Sequence, residues 1–164
     1  MPRTKPGQEP RIKGLNTAAR LWKVLPVLAA LLASANAVAL EFRSVNESVA
    51  ILYDAPSTKA QKLFVLSRGY PVEVVVKIDA WTKVRDDTGE FAWIENRHLS
   101  ERHTVMVKVA SAEARQAANE NSPVVFTAEK NVFLELVDMA VGWARVRHSD
   151  GATGFVKVSQ LWGL

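Results

Sequence analysis

The sequence predicts an all-β protein, two tandem copies of one small β-barrel behind an N-terminal signal helix. Three observations predict it. Short runs rich in β-branched residues alternate with Gly, Pro and Asp turn signals over most of the chain. The stretch WTKVRDDTGEFAWI (Trp81–Ile94) returns 62 positions later as WARVRHSDGATGFV (Trp143–Val156). The only convincing helical pattern lies in the leader.

The leader comes first in the chain. Its start is basic and is broken by Pro2, Pro6, Gly7, Pro10 and Gly14. An apolar run, VLPVLAALLA (Val24–Ala33), follows, and then SANAVA (Ser34–Ala39) with small residues at Ala35, Ala37 and Ala39. That is the three-part layout of a secretory signal peptide, assigned to residues 1–37. Cleavage after Ala37 and cleavage after Ala39 satisfy the small-x-small rule equally. The apolar run is short of the ~20 residues that span a bilayer. The alternative is an uncleaved anchor over residues 21–40, which would be the protein's only attachment to the inner membrane. Cleavage makes the protein exported and periplasmic.

The body begins with a first copy over residues 43–103. AILYDAPS (Ala50–Ser57) reads as a strand running into a Pro turn, and KLFVLSRG (Lys62–Gly69) as a strand and loop. VEVVVKI (Val72–Ile78) is a strand whose Val72, Val74, Val76 and Ile78 share one face. Asp79-Ala80 turns tightly into WTKVR (Trp81–Arg85). Asp86–Gly89 is hairpin chemistry, with Gly free to take positive φ. Glu90–Ile94 returns, and Asn96–Leu99 closes the unit.

The second copy covers residues 108–164. Sliding the chain by 62 positions brings Ala50, Phe64, Glu73, Trp81, Val84, Arg85, Gly89 and Leu99 onto Ala112, Phe126, Glu135, Trp143, Val146, Arg147, Gly151 and Leu161. No gap is needed over about fifty residues, which makes the echo a duplication. ASAEARQAANENS (Ala110–Ser122) has helix-friendly composition but poor apolar spacing, and it aligns with the first strand and Pro turn of the first copy. It is therefore expected as a strand and loop. The connection HTVMVK (His103–Lys108) is apolar and β-prone, which predicts two copies packed as one body.

Composition narrows the function. The chain carries a formal charge of +4, but six of its 21 Lys and Arg and one of its 17 Asp and Glu fall in residues 1–37. The rest holds 15 basic and 16 acidic groups, a net charge of −1. A body this neutral releases few counterions on a polyanion, which argues against nucleic acid as a partner. The absence of Cys excludes disulfides and lipoprotein processing.

Two patterns resemble the bacterial SH3-like domain, a small barrel of about five strands. One is W-x-x-V-R-x-x-x-G-x-x-x-[WF]-[VI] with a Leu five residues on. The other is an upstream turn similar to R-S-G-P-S. The fullest match is Gly142, Trp143, Val146, Arg147, Asp150, Gly151, Gly154, Trp162 and Gly163. The first copy departs from the turn pattern, with Tyr53 for Arg and Asp54-Ala55-Pro56-Ser57 for S-G-P-S. The second keeps Arg115 but has Ala117-Ala118 for Gly-Pro. The resemblance implies two SH3-like domains acting as a binding or scaffold module of the bacterial envelope. Its implied ligand is peptidoglycan or a peptide of a periplasmic partner. A purely structural role, in self-association or membrane-tethered assembly, is the alternative.

Catalytic and metal chemistry find no constellation. The three His residues are loop residues without ligand spacing, so no metal or cofactor is expected. His148-Ser149-Asp150 is contiguous in a hairpin turn, where neighbours are expected to point apart rather than form a relay. Such domains often accompany cell-wall hydrolases, but no Cys-His hydrolase domain fits in this chain, and no enzymatic activity is expected. The aromatics remain. If Ile94 faces the core, alternation turns Trp93 outward, and Phe155 with it in the second copy. Tyr53 and Tyr70 lie at strand or loop ends of the first unit. Tyr53, Tyr70, Trp93 and Phe155 are thus the candidate ligand-binding residues, because flat amphipathic rings give contact area at low entropy cost. Trp81 and Trp143 are expected to pack at the strand start, over the end of the core.

Overall fold

A computed structural model describes residues 40–164. The expected signal helix, both cleavage points and all of the anchor alternative except Leu40 lie outside the described residues. Among the described residues no helix is long and apolar enough to cross a membrane.

The first copy is one antiparallel seven-stranded sheet. Its strands are β1 (Glu41–Val45), β2 (Ala50–Tyr53), β3 (Lys62–Leu66), β4 (Pro71–Ile78), β5 (Trp81–Arg85), β6 (Phe91–Glu95) and β7 (Leu99–Ser100). They are ordered β3-β2-β6-β5-β4-β1-β7. Val45, Ala50, Leu52, Leu66, Val72, Val84 and Ile94 come from six of these strands and form one buried cluster. A flat sheet cannot bring its two ends into one cluster, so the sheet curls around its own core as a small barrel.

The second copy repeats this with β8 (Thr104–Val107), β9 (Ser111–Arg115), β10 (Val124–Glu129), β11 (Phe133–Ala140), β12 (Trp143–Arg147), β13 (Thr153–Lys157) and β14 (Leu161–Trp162). Their order is β10-β9-β13-β12-β11-β8-β14, the same topology. Strands β11 to β14 sit 62 residues after β4 to β7, residue for residue. The segment from Ala110 is the strand and loop its alignment indicated.

Three features differ from the sequence expectation. The apolar connection between the copies is itself the first strand of the second copy: all four residues of β8 are buried. The shared face of Val72 to Ile78 is interrupted by a β-bulge between Val74 and Val76. Val72 is buried, whereas Val76 and Ile78, beyond the bulge, are 45% and 41% exposed. A bulge adds one residue to one strand and so resets its alternation. The same bulge recurs between Leu136 and Asp138. Third, Trp81 does not cover the end of the core. Thr82 is the inward residue, 2% exposed, and Trp81 turns to the outer face.

The copies meet along β1, the Gly69–Pro71 turn, β8 and the C-terminus. The backbone N–H of Thr104 donates to Ser44 Oγ at 3.0 Å, and Thr104 Oγ1 donates to the carbonyl of Gly69 at 2.6 Å. Phe42 stands edge-on to Trp162 at 5.4 Å, and Tyr70 to Phe133 at 5.7 Å.

Candidate functional site

Strand pairing builds the site. In β6, Ala92 and Ile94 enter the core, 2% and 0% exposed, so Trp93 faces outward, half-buried. Its register partners are Tyr53 on β2 and Lys83 on β5, and register partners share a face. Trp81 closes the group, its ring 5.4 Å from Tyr53 and nearly perpendicular at 87°. Tyr53 is only 5% exposed, so it is the floor of this aromatic face and Trp93 its open wall. Next to it Ile51 pairs with Val65, and Val65 and Leu63 of the edge strand β3 are 59% and 43% exposed. The result is an apolar strip, with Lys83 as its cationic border.

Tyr70 does not join this face. It lines a cleft of about 480 Å³ between the copies, with Val49, Val65, Asp87, Met106 and Phe133. Its hydroxyl donates to Asp87 Oδ1. Burial, and then this contact with a carboxylate, push the Tyr70 phenol above its ordinary range. The strip reaches the cleft through Val65, which belongs to both.

Phe155 occupies the place of Trp93 in the second copy and pairs with Arg115 and Arg145. The surrounding chemistry has changed. Arg115 stands where Tyr53 does and Lys157 where Glu95 does. The equivalent surface is a polar pocket of about 320 Å³ lined by Ser111, Glu113, Arg115, Trp143, Lys157 and Gln160 among others. Arg115 pairs with Glu113, and Lys157 with Glu120 at 2.6 Å. Trp143 is nearly buried, with the Lys157 ammonium 5.9 Å above its ring.

Sequence reasoning missed Trp81 as a member of the aromatic face. The signal was present, since Trp81 and Lys83 alternate with the inward Thr82 and Val84. It also missed Phe133 and Met106, whose role depends on contact between the copies. His148 and Asp150 do meet, at 3.1 Å between Nδ1 and Oδ1, rather than pointing apart. Asp150 lies below the usual carboxylate range, chiefly because it accepts from the N–H of Ala152, and then from contact with His148. That is turn chemistry. No group of three or more His, Cys, Asp or Glu residues suited to a metal occurs among the described residues.

No curated protein matches the chain. Solved structures with some likeness include NlpC1 from Trichomonas vaginalis, at 18% identity over 79% of this chain and 48% of that one, with a TM-score of 0.37. NlpC2 from the same organism is 17% identical over 76% of this chain and 48% of that one, at 0.35. An NlpC/P60 family protein from Bacillus cereus ATCC 10987 is 15% identical over 74% and 56%, at 0.34. The chain thus spans about half the length of these proteins, and overlap at such scores fixes neither fold nor function. The family model described as the bacterial SH3 domain matches twice, at residues 46–101 and 108–163. Those segments take in β2 to β7 and β9 to β14, all but the first strand of each seven-stranded unit, and cover most of the chain, which therefore belongs to the bacterial SH3 domain family.

Proposed function

We propose that this chain is a non-enzymatic binding protein of the bacterial cell envelope, exported to the periplasm, which holds peptidoglycan on the aromatic face of its first SH3 domain. Family membership supports a cell-wall-associated role. The single observation that carries the site is the convergence of Tyr53, Trp81 and Trp93 on one outer face beside the exposed Val65 and Leu63. An extended wall peptide can lay apolar groups on this strip and pair its backbone with the open edge of β3.

Retention on purified sacculi tests the reading. The purified chain should co-sediment with sacculi, and Trp93→Ala should reduce the retained fraction several-fold while leaving the melting temperature nearly unchanged. A wild-type protein that stays in the supernatant at all sacculus concentrations overturns the proposal.

A further inference from the structure

The duplication exposes an imbalance of charge. In the first copy Glu73 and Arg85 form a one-to-one pair. Glu73 is 8% exposed, and its Oε2 accepts from both Nε, at 2.8 Å, and Nη2 of Arg85. The 62-residue shift puts Glu135 and Arg147 at the same places, but the pairing there differs. Arg102, from the segment between β7 and β8, donates to Glu135 Oε2 at 2.7 Å, while Arg147 stands 3.5 Å from the same oxygen. One carboxylate is shared by two guanidinium groups. Arg68, from the loop after β3, lines the same cavity of about 270 Å³. Its own hydrogen bond is a long one, 3.5 Å to Ser48 Oγ.

We propose that this inter-copy cavity is an oxyanion-binding site that takes a carboxylate or phosphate group. Three arginines line the cavity with one carboxylate, and two of them share it, so two positive charges are in excess. A guanidinium is a planar fork that binds such oxyanions bidentately, and Arg147 lacks the close partner that satisfies Arg85. Ser149 adds a hydroxyl to the wall. Both copies are needed: Arg68 comes from the first, Arg102 from the junction, and Arg147 and Ser149 from the second. The first copy has no counterpart, because its Arg85 is held on the nearly buried Glu73.

The site is separate from the aromatic face, so its test does not depend on wall binding. Inorganic phosphate is titrated into the full chain at fixed ionic strength, and the amide resonances of Gly69 and Ser149 are followed. Saturable shifts are expected. Arg102→Gln and Arg147→Gln should each weaken binding about tenfold, the loss of one charge-assisted contact. Glu135→Gln should tighten it, because the competing carboxylate is gone. Arg97→Gln, an exposed arginine of the first copy paired with Glu95, should leave binding unchanged. Acetate in place of phosphate separates the two sources of such a group: whichever anion binds more tightly names the class. Absence of saturable shifts with both anions overturns the site. So does equal weakening by Arg97→Gln, which would mark a general charge effect, or weakening by Glu135→Gln.

Discussion

Trp93 and Tyr53 are register partners, yet only one of them is open to solvent. Tyr53 is 5% exposed and packs edge-on against Trp81, so Tyr53→Ala should cost about 3 kcal/mol in denaturant unfolding. Trp93→Ala removes a half-buried ring and should cost less than that, so its loss of wall retention will be a loss of contact and not of fold. If the two variants lose equal stability, Trp93 is a packing residue. Tyr70 carries a different kind of evidence. Its phenol is raised by burial and by Asp87, against an unfolded value of about 10. A raised pKa means that its contribution to stability is complete below about pH 10. It falls as pH rises further, because the unfolded chain ionises first. Melting curves from pH 9 to 11 should therefore fall more steeply for the wild type than for Tyr70→Phe. Parallel slopes would remove Tyr70 from the account of alkaline stability.

At the scale of strands, period-two alternation put Ala92 on one face with Ile94, the residue assigned to the core, and Val72 on the shared face of its own strand, and all three are core. The same rule failed beyond Val74, because a bulge is a register event between two strands and leaves no mark in VEVVVKI taken alone. The two halves of β4 should respond differently to mutation. Val72→Ala should cost about 2 kcal/mol, the loss of buried methyl groups. Val76→Ser, past the bulge and 45% exposed, should change stability by about 0.5 kcal/mol or less. Comparable losses in denaturant titrations would mean that the outer half of β4 is covered in solution. Trp93 was legible as a site candidate because its orientation follows from one neighbouring core residue, Ile94, and Tyr53 because it stands at a strand end. Tyr70 was legible as a ring near a loop, but its partners Phe133 and Asp87 were not. Contacts between Gly69–Pro71 and the second copy depend on how two domains pack, and no local pattern encodes that.

The whole molecule depends on that packing. A unit of about 60 residues buries only ~60% of its unfolded surface and is marginal alone, so the interface between copies supplies stability that neither copy has. The buried strand β8 makes the junction part of the second core, and the C-terminal Gly163 seals it against the first copy. A Cβ at Gly163 would lie 2.9 Å from Pro71 Cβ and 3.1 Å from the Thr104 carbonyl oxygen, where φ is already +99°. Gly163→Ala must therefore pay the left-handed backbone penalty, about 1–2 kcal/mol, and also push against Pro71. Gly142 is the internal control. Its φ is +77°, but nothing lies within 4 Å of the Cβ position, so Gly142→Ala incurs the backbone penalty alone. Wild type and Gly142→Ala should each melt in a single transition, the variant slightly lower. Gly163→Ala should melt lower still, with the transition broadened or split as the copies uncouple. It should also speed hydrogen exchange at the Thr104 amide, which bonds to Ser44 across the interface. If the two variants melt alike and the Thr104 amide stays protected in both, the approach of Gly163 to Pro71 does not hold the copies together.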